Sequence, residues 1–404
     1  MGAGITSGEC SKQETVNISQ EKASEWLYST TDTFLIAVII PTLWCLALIT
    51  NMTFLLVTLR VRTLRSETNY YLAHLALADL LYVSLASAIT WWSYTASPLA
   101  SHFPFVNSAQ CIISSTFVNT GYFASIVLVT MVSFERYLAL CHPMKHRQIR
   151  GQRRTYRIVA ICWMAGCLLS VSITMENTVQ TMECLLWPDD DSYQSYPSIR
   201  VYCGPVAPWI TNYTHPLQNV PWLVATVANT HMYLCIILTL NKRTSDNDLA
   251  NNDPNASQIR NQVAKILVVN GTVFFLCQTP YRIFSMAEWI CSLAEIPNPM
   301  SAALGRNTRW ISSIPQYING MINPLIYGAM NRAYRAAFRQ AFRCNCQSRS
   351  QHTASPTVRS EKSQNKARQK THEQTESLHP DCELGDLSTL GINAIVGPTN
   401  DVSL

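Results

Sequence analysis

The sequence predicts an all-α integral membrane protein: a seven-transmembrane helix bundle with an amphipathic cytoplasmic helix 8. Three observations carry that prediction. Apolar residues fall in seven long blocks, basic residues gather at alternate connections, and a charged pair closes the third block. Only 14% of the 404 residues are charged while 48% are hydrophobic, so a soluble helical domain, which holds one or two such runs, does not fit. The blocks are Phe34–Leu59, Tyr70–Tyr94, Ala109–Leu140, Ile158–Thr174, Val220–Leu240, Ile259–Ile290 and Ile311–Met330. A helix crossing the bilayer needs about 20 apolar residues. The third and sixth blocks exceed that and are expected to tilt or extend into water. The expected organisation is an extracellular segment over 1–33, the bundle over 34–330, a membrane-surface helix over 331–346 and a disordered cytoplasmic tail over 347–404.

Sidedness follows from the basic residues. Arg60, Arg62 and Arg65 follow the first block, and Lys145, Arg147, Arg150, Arg153, Arg154 and Arg157 follow the third. Lys242, Arg243 and Arg260 flank the loop after the fifth, and Arg332, Arg335, Arg339 and Arg343 follow the seventh. Basic loops stay in the cytoplasm, so the amino terminus is expected outside and the tail inside, in the plasma membrane. The net charge of +5 reflects this asymmetry and is no nucleic-acid footprint. Asn17-Ile18-Ser19 and Asn212-Tyr213-Thr214 are glycosylation sequons on segments expected outside. Residues 1–33 lack the apolar core of a cleavable signal peptide. Many of the 14 cysteines lie within the blocks, where cysteine is a small apolar residue. Cys111, at the outer end of the third block, faces two bridge partners in the long second outer loop, Cys203 and Cys184. Cys10 and Cys291 are also expected outside.

The third block ends in Glu135-Arg136-Tyr137. An arginine inside the bilayer costs roughly 2.5–3.5 kcal/mol on insertion scales. Arg136 is therefore expected to snorkel or to act, and the neighbouring Glu135 suggests a local ion pair that can break. Asp79, a carboxylate near mid-membrane, needs a partner or a cation. After the seventh block, Tyr334, Phe338 and Phe342 recur every four residues between arginines, the pattern of an amphipathic surface helix. Cys344 and Cys346 follow as palmitoylation candidates. The Ser-, Thr-, Gln- and Lys-rich tail ends in Val402-Ser403-Leu404, a short carboxy-terminal match for PDZ domains.

Read in order, these residues resemble the rhodopsin-like (class A) G-protein-coupled receptors, from Phe34 to Cys346. The resemblance rests on Asn51, Leu75-Ala76-Leu77-Ala78-Asp79, Cys111, Glu135-Arg136-Tyr137, Trp163, Tyr233, Phe274, Pro280 and Asn323-Pro324-Leu325-Ile326-Tyr327. It implies a receptor, not an enzyme, that binds an extracellular neuropeptide and activates a heterotrimeric G protein, with arrestin recruited by the tail. It further implies that Asp79, Ser125, Asn319 and Asn323 hold a structural sodium ion, with no cofactor expected. Pro280 and Pro324 would act as hinges, and Arg136, Tyr233 and Tyr327 would line the opened cytoplasmic cavity, with Met144 contacting the G protein. The missing seventh-block lysine argues against a retinal ligand. Val118, where amine receptors carry aspartate, argues against an amine. Pro280-Tyr281-Arg282 looks like thyrotropin-releasing hormone receptors, with neuromedin U and ecdysis-triggering hormone receptors also close. By that likeness Asn119, Gln278, Tyr281, Arg282, Arg309 and Ser313 line the ligand pocket, the phospholipase C route is expected, and the second outer loop folds as a hairpin. The chain departs from the pattern at Gln278, where tryptophan is usual, at Ala225, where proline is usual, and at Thr50, where glycine is usual. Two other classes remain: a non-signalling peptide-binding receptor, which Gln278 would suit, and an ion-conducting or transport protein using the Asp79 cluster.

Overall fold

The computed structural model describes residues 14–64, 66–246, 254–305 and 307–342. Cys10, Arg65, Arg306, Arg343, Cys344, Cys346 and the tail over 347–404 lie outside them. Seven long helices run through the described chain. They are α1 (Thr30–Arg60), α2 (Glu67–Ala96), α3 (Ser108–Cys141), α5 (Gln152–Thr174), α6 (Ile210–Asp246), α7 (Pro254–Leu293) and α9 (Asn307–Met330). Short helices α4 (Pro143–Ile149), α8 (Pro299–Leu304) and α10 (Arg332–Phe342) connect or follow them. Six of the seven are long and apolar enough to cross a membrane. The seventh, α9, falls short because Arg309, Gln316, Asn319 and Asn323 interrupt it, and it buries most of them inside the bundle.

Local chemistry sets the helix starts. Ser29 Oγ accepts from Asp32 N at 3.1 Å while Asp32 Oδ2 accepts from Ser29 N at 2.8 Å, a reciprocal cap on α1. Ser66 and Asn107 cap α2 and α3 through the amides of Asn69 and Gln110. Pro41 cannot donate to the turn before it, and the chain passes Leu35–Ile39 as a π turn, the usual adjustment at such a break. Helix α6 begins at Ile210, ten residues ahead of the apolar block. Its polar first turns are held by tertiary contacts, with Thr214 fully buried and donating to Glu176 Oε2 at 2.9 Å. Asn212 therefore sits exposed in a helical turn instead of a loop.

Helix α3 is the central post, packed against α2, α5 and α6. At Gly121 a Cβ would stand 2.9 Å from the Ala78 carbonyl oxygen, so glycine is what lets α2 and α3 approach. Phe123, Leu128, Val132 and Phe274 fill the shared core with Leu75 and Val159. Helix α10 splits its apolar residues. Tyr334, Ala337 and Ala341 pack on the bundle, whereas Phe338 and Phe342 stay exposed.

One end of the bundle carries a three-stranded sheet. Strands β2 (Val179–Leu186) and β3 (Ile199–Gly204) form an antiparallel hairpin, and β1 (Glu14–Asn17) adds in parallel to β2. A small core of Ile18, Ala23, Leu99 and Leu185, flanked by Trp26, Trp187 and Tyr193, sits beneath it. Composition gave no sign of this lid over the amino-terminal segment, because its strand is four residues long and closes only against β2. A disulfide joins Cys111 to Cys203. Cys184, the rival, is itself disulfide-bonded.

Candidate ligand cavity and signalling core

Toward the sheet end of the bundle, α3, α5, α6, α7 and α9 line an open cavity of about 340 Å³. Asn119 enters from α3, Ile173 from α5, and Glu176 and Asn177 from the turn that follows α5. His215 and Gln218 come from α6, Tyr281, Phe284, Ser285 and Glu288 from α7, and Ser312 from α9. Of the residues expected in a pocket, Asn119 and Tyr281 line this space. Arg282 lies directly behind it and is 1% exposed. Its guanidinium packs across the rings of Tyr122 and Tyr281, 4.5 and 4.8 Å from their centres. Nη1 donates to the Gln218 carbonyl at 2.9 Å, and Nε has no partner. Gln278 is deeper still, buried with an unpartnered Oε1. Arg309 lies over Trp310 at 5.1 Å, and Trp310 Nε1 donates to the buried Asp32 at 2.6 Å. Ser313 turns back to the Arg309 carbonyl. Sequence reasoning missed Glu176, His215, Gln218, Ser285, Glu288 and Ser312. No motif marks them, and only the helix packing brings them together.

At mid-bundle, Asp79 is 3% exposed and accepts from Ser125 Oγ at 2.8 Å and Asn323 Nδ2 at 2.7 Å. Asn319 and Asn323 each leave a buried Oδ1 without a donor. A buried carboxylate together with two orphaned amide oxygens is a donor set that suits a hard monovalent cation, so these residue types fit a sodium ion. Nearby, Asn51 Nδ2 donates to the Gly320 carbonyl at 2.7 Å and ties α1 to α9. Pro280 and Pro324 lie inside α7 and α9, where each removes one ladder hydrogen bond.

At the opposite, basic end the arrangement corrects one expectation. Glu135 does not pair with Arg136. It accepts from Arg154 Nη2 at 2.6 Å and lies 3.6 Å from His146 Nε2. Adjacent residues on a helix point in different directions, so Glu135 faces α4 and α5 while Arg136 turns elsewhere, its Nε without a partner. Among the described residues no carboxylate forms an ion pair with Arg136. Glu67, Glu135 and His146 place ligand atoms within 4.8 Å of one another. With Arg154 on Glu135 and Arg150 on Glu67, the group reads as an ion-pair network. A cavity of about 1040 Å³ adjoins it, walled by Arg136, His146, Arg147, Tyr70 and Tyr156. Tyr137 bonds His142 at 3.0 Å. Tyr233 bonds Ser133 at 2.8 Å. Tyr327 packs between the Phe54 and Tyr334 rings with its hydroxyl unpartnered. Met144 is exposed on α4.

Comparison with known proteins agrees with this geometry. Residues 50–327 match the family described as 7 transmembrane receptor (rhodopsin family). The chain is 27% identical to the mouse (Mus musculus) neuromedin-U receptor 2 over 74% of its own length and 73% of the relative's. It is 26% identical to the zebrafish (Danio rerio) apelin receptor A over 75% and 80%. It is 25% identical to the Drosophila melanogaster tachykinin-like peptides receptor 86C over 68% and 51%. The bundle, the Asp79 cluster and the matched family together place this chain in the rhodopsin family of seven-transmembrane receptors.

Proposed function

We propose that the protein is a plasma-membrane receptor for an extracellular peptide that acts on a heterotrimeric G protein. The observation that carries this reading is the polar cavity toward the sheet end, coupled through a packed bundle to a basic end bearing Arg136, Tyr233 and Tyr327. The names of the similar receptors, which concern neuromedin U, apelin and tachykinin-like peptides, support a peptide over an amine. So does the absence of any carboxylate in α3 before Glu135. On this reading the sheet end is extracellular and carries Asn17, exposed on β1, as a glycan site, with Asn212 as a second. The basic end is cytoplasmic, with arrestin and palmitate at Cys344 and Cys346 acting on the tail.

Peptide binding would favour a conformer in which the basic ends of α6 and α7 part, by no more than its differential affinity for the two states. Asp79, Ser125, Asn319 and Asn323 would hold a sodium ion, which supplies charge balance for the buried carboxylate. The test is a peptide library applied to cells expressing the chain, with intracellular calcium and cyclic AMP recorded. A calcium response that follows receptor surface density supports the reading and the phospholipase C route. Activation by monoamines alone, with every peptide inert, would exclude it. Peptide binding without nucleotide exchange would instead identify the silent receptor that Gln278 suits.

A further inference from the structure

The charge order around the cavity points to the chemistry of its occupant. We infer that this space is a subsite for a basic peptide group, an arginine or lysine side chain or a free amino terminus, held by Glu176 and Glu288. The inference rests on the peptide-receptor reading above and deepens it.

Only Ile173 and Phe284 among the lining residues are apolar, and no lysine or arginine lines the space. The two carboxylates have mostly neutral company. Glu176 accepts from Thr214 Oγ1 at 2.9 Å and stands 4.0 Å from His215 Nε2. Glu288 accepts from Asn298 Nδ2 at 2.8 Å. Glu288 is exposed and Glu176 half-buried, so both present negative charge to a space open to solvent. A cation entering this space meets two acids and no competing lysine or arginine.

Arg282 gives an independent indication. It is a fully buried cation behind Gln218 and Tyr281, which are themselves cavity walls, and its Nε–H has no acceptor. A buried donor left unmade costs about 1–3 kcal/mol, and the Tyr122 and Tyr281 ring faces that the guanidinium covers offset part of it. The order is therefore acids in the cavity and a base behind its wall. A basic peptide group matches that order, its cation toward Glu176 and Glu288 and kept from Arg282 by the Gln218 and Tyr281 walls.

The experiment uses full-length receptor in cells, counted at the surface by antibody, with G-protein nucleotide exchange as readout. The probes are a positional-scanning tetrapeptide library, with free and amidated ends, and agmatine as the amine control. Active pools are expected to carry arginine or lysine at one position. Replacing that arginine with citrulline, which keeps shape and loses charge, should lower potency by about tenfold or more, the scale of one charge-assisted contact. Glu176→Gln and Glu288→Gln should each weaken the arginine peptide by about tenfold and leave the citrulline peptide nearly unchanged. Pools equally active with neutral or acidic residues would overturn the inference and leave the peptide reading intact. So would a citrulline peptide equally impaired by both variants. Agmatine as potent as the peptides would overturn it too. If no pool acted at any concentration, the peptide reading itself would fall, and this inference with it.

Discussion

At Gly271 a single hydrogen in place of a side chain makes room for the Tyr233 phenol, since a Cβ there would overlap the ring and its hydroxyl. Gly271→Ala must therefore push Tyr233 off Ser133, an overpacking of about 1–3 kcal/mol. The expected result is a lower unfolding temperature and altered basal nucleotide exchange, with Tyr233→Leu restoring stability in the double variant. Equal stability of Gly271→Ala and the parent protein would refute the contact. His102, in the connection between α2 and α3, poses a second residue-scale question. Its Nδ1 accepts from Val201 N at 3.2 Å, and burial, assisted by the Arg200 charge, holds its pKa below the usual value of 6.5. The neutral form is the one the fold favours. Its contribution is present above the unfolded-state pKa and is lost as pH falls through the lower folded value. Thermal unfolding of solubilised receptor should show a drop between pH 7.5 and 5.5 that is smaller in His102→Gln. A drop of the same size in both would dismiss the role.

At the scale of elements, α4 and the start of α5 hold Glu135 from outside α3. Arg154 makes the short contact, and His146 the longer one. With Glu135 so engaged, Arg136 has no ion-pair partner among the described residues. Arg154→Ala should release Glu135 toward Arg136 and reduce ligand-independent nucleotide exchange. It should also cost about 1–3 kcal/mol, because a nearly buried carboxylate loses its best donor. Arg154→Lys should keep part of both. Basal exchange that rises in Arg154→Ala would show the opposite coupling. The Glu-Arg-Tyr motif was plain in the sequence, yet its partner was not. Adjacency in the chain suggested Arg136, whereas on a helix neighbouring side chains diverge, and the acid found a base 19 residues away.

Across the whole molecule, Asp79 joins α2, α3 and α9 through Ser125 and Asn323. If sodium completes this cluster, 150 mM sodium should raise the unfolding temperature relative to equimolar potassium. Asp79→Asn should abolish the difference while the protein still reaches the surface. A sodium effect that survives in Asp79→Asn would place the ion elsewhere. The bundle makes this cluster possible because crossing helices bury polar groups only where a partner waits. That is also why α9, too polar to stand in lipid alone, keeps Gln316, Asn319 and Asn323 inside.

The sequence by itself determined the seven crossings, the basic end and Asp79 as a carboxylate near mid-membrane. Each rests on runs of apolar residues or on charges whose cost in a bilayer is large whatever their neighbours. The short strand β1, the early start of α6, the Cys111–Cys203 bridge over Cys184 and the acids Glu176 and Glu288 around one cavity were decided by tertiary structure. These depend on contacts between segments far apart in the chain, and their local composition is that of ordinary loop and helix ends. A carboxylate after α5 acquires meaning only when α6 and α7 close around it.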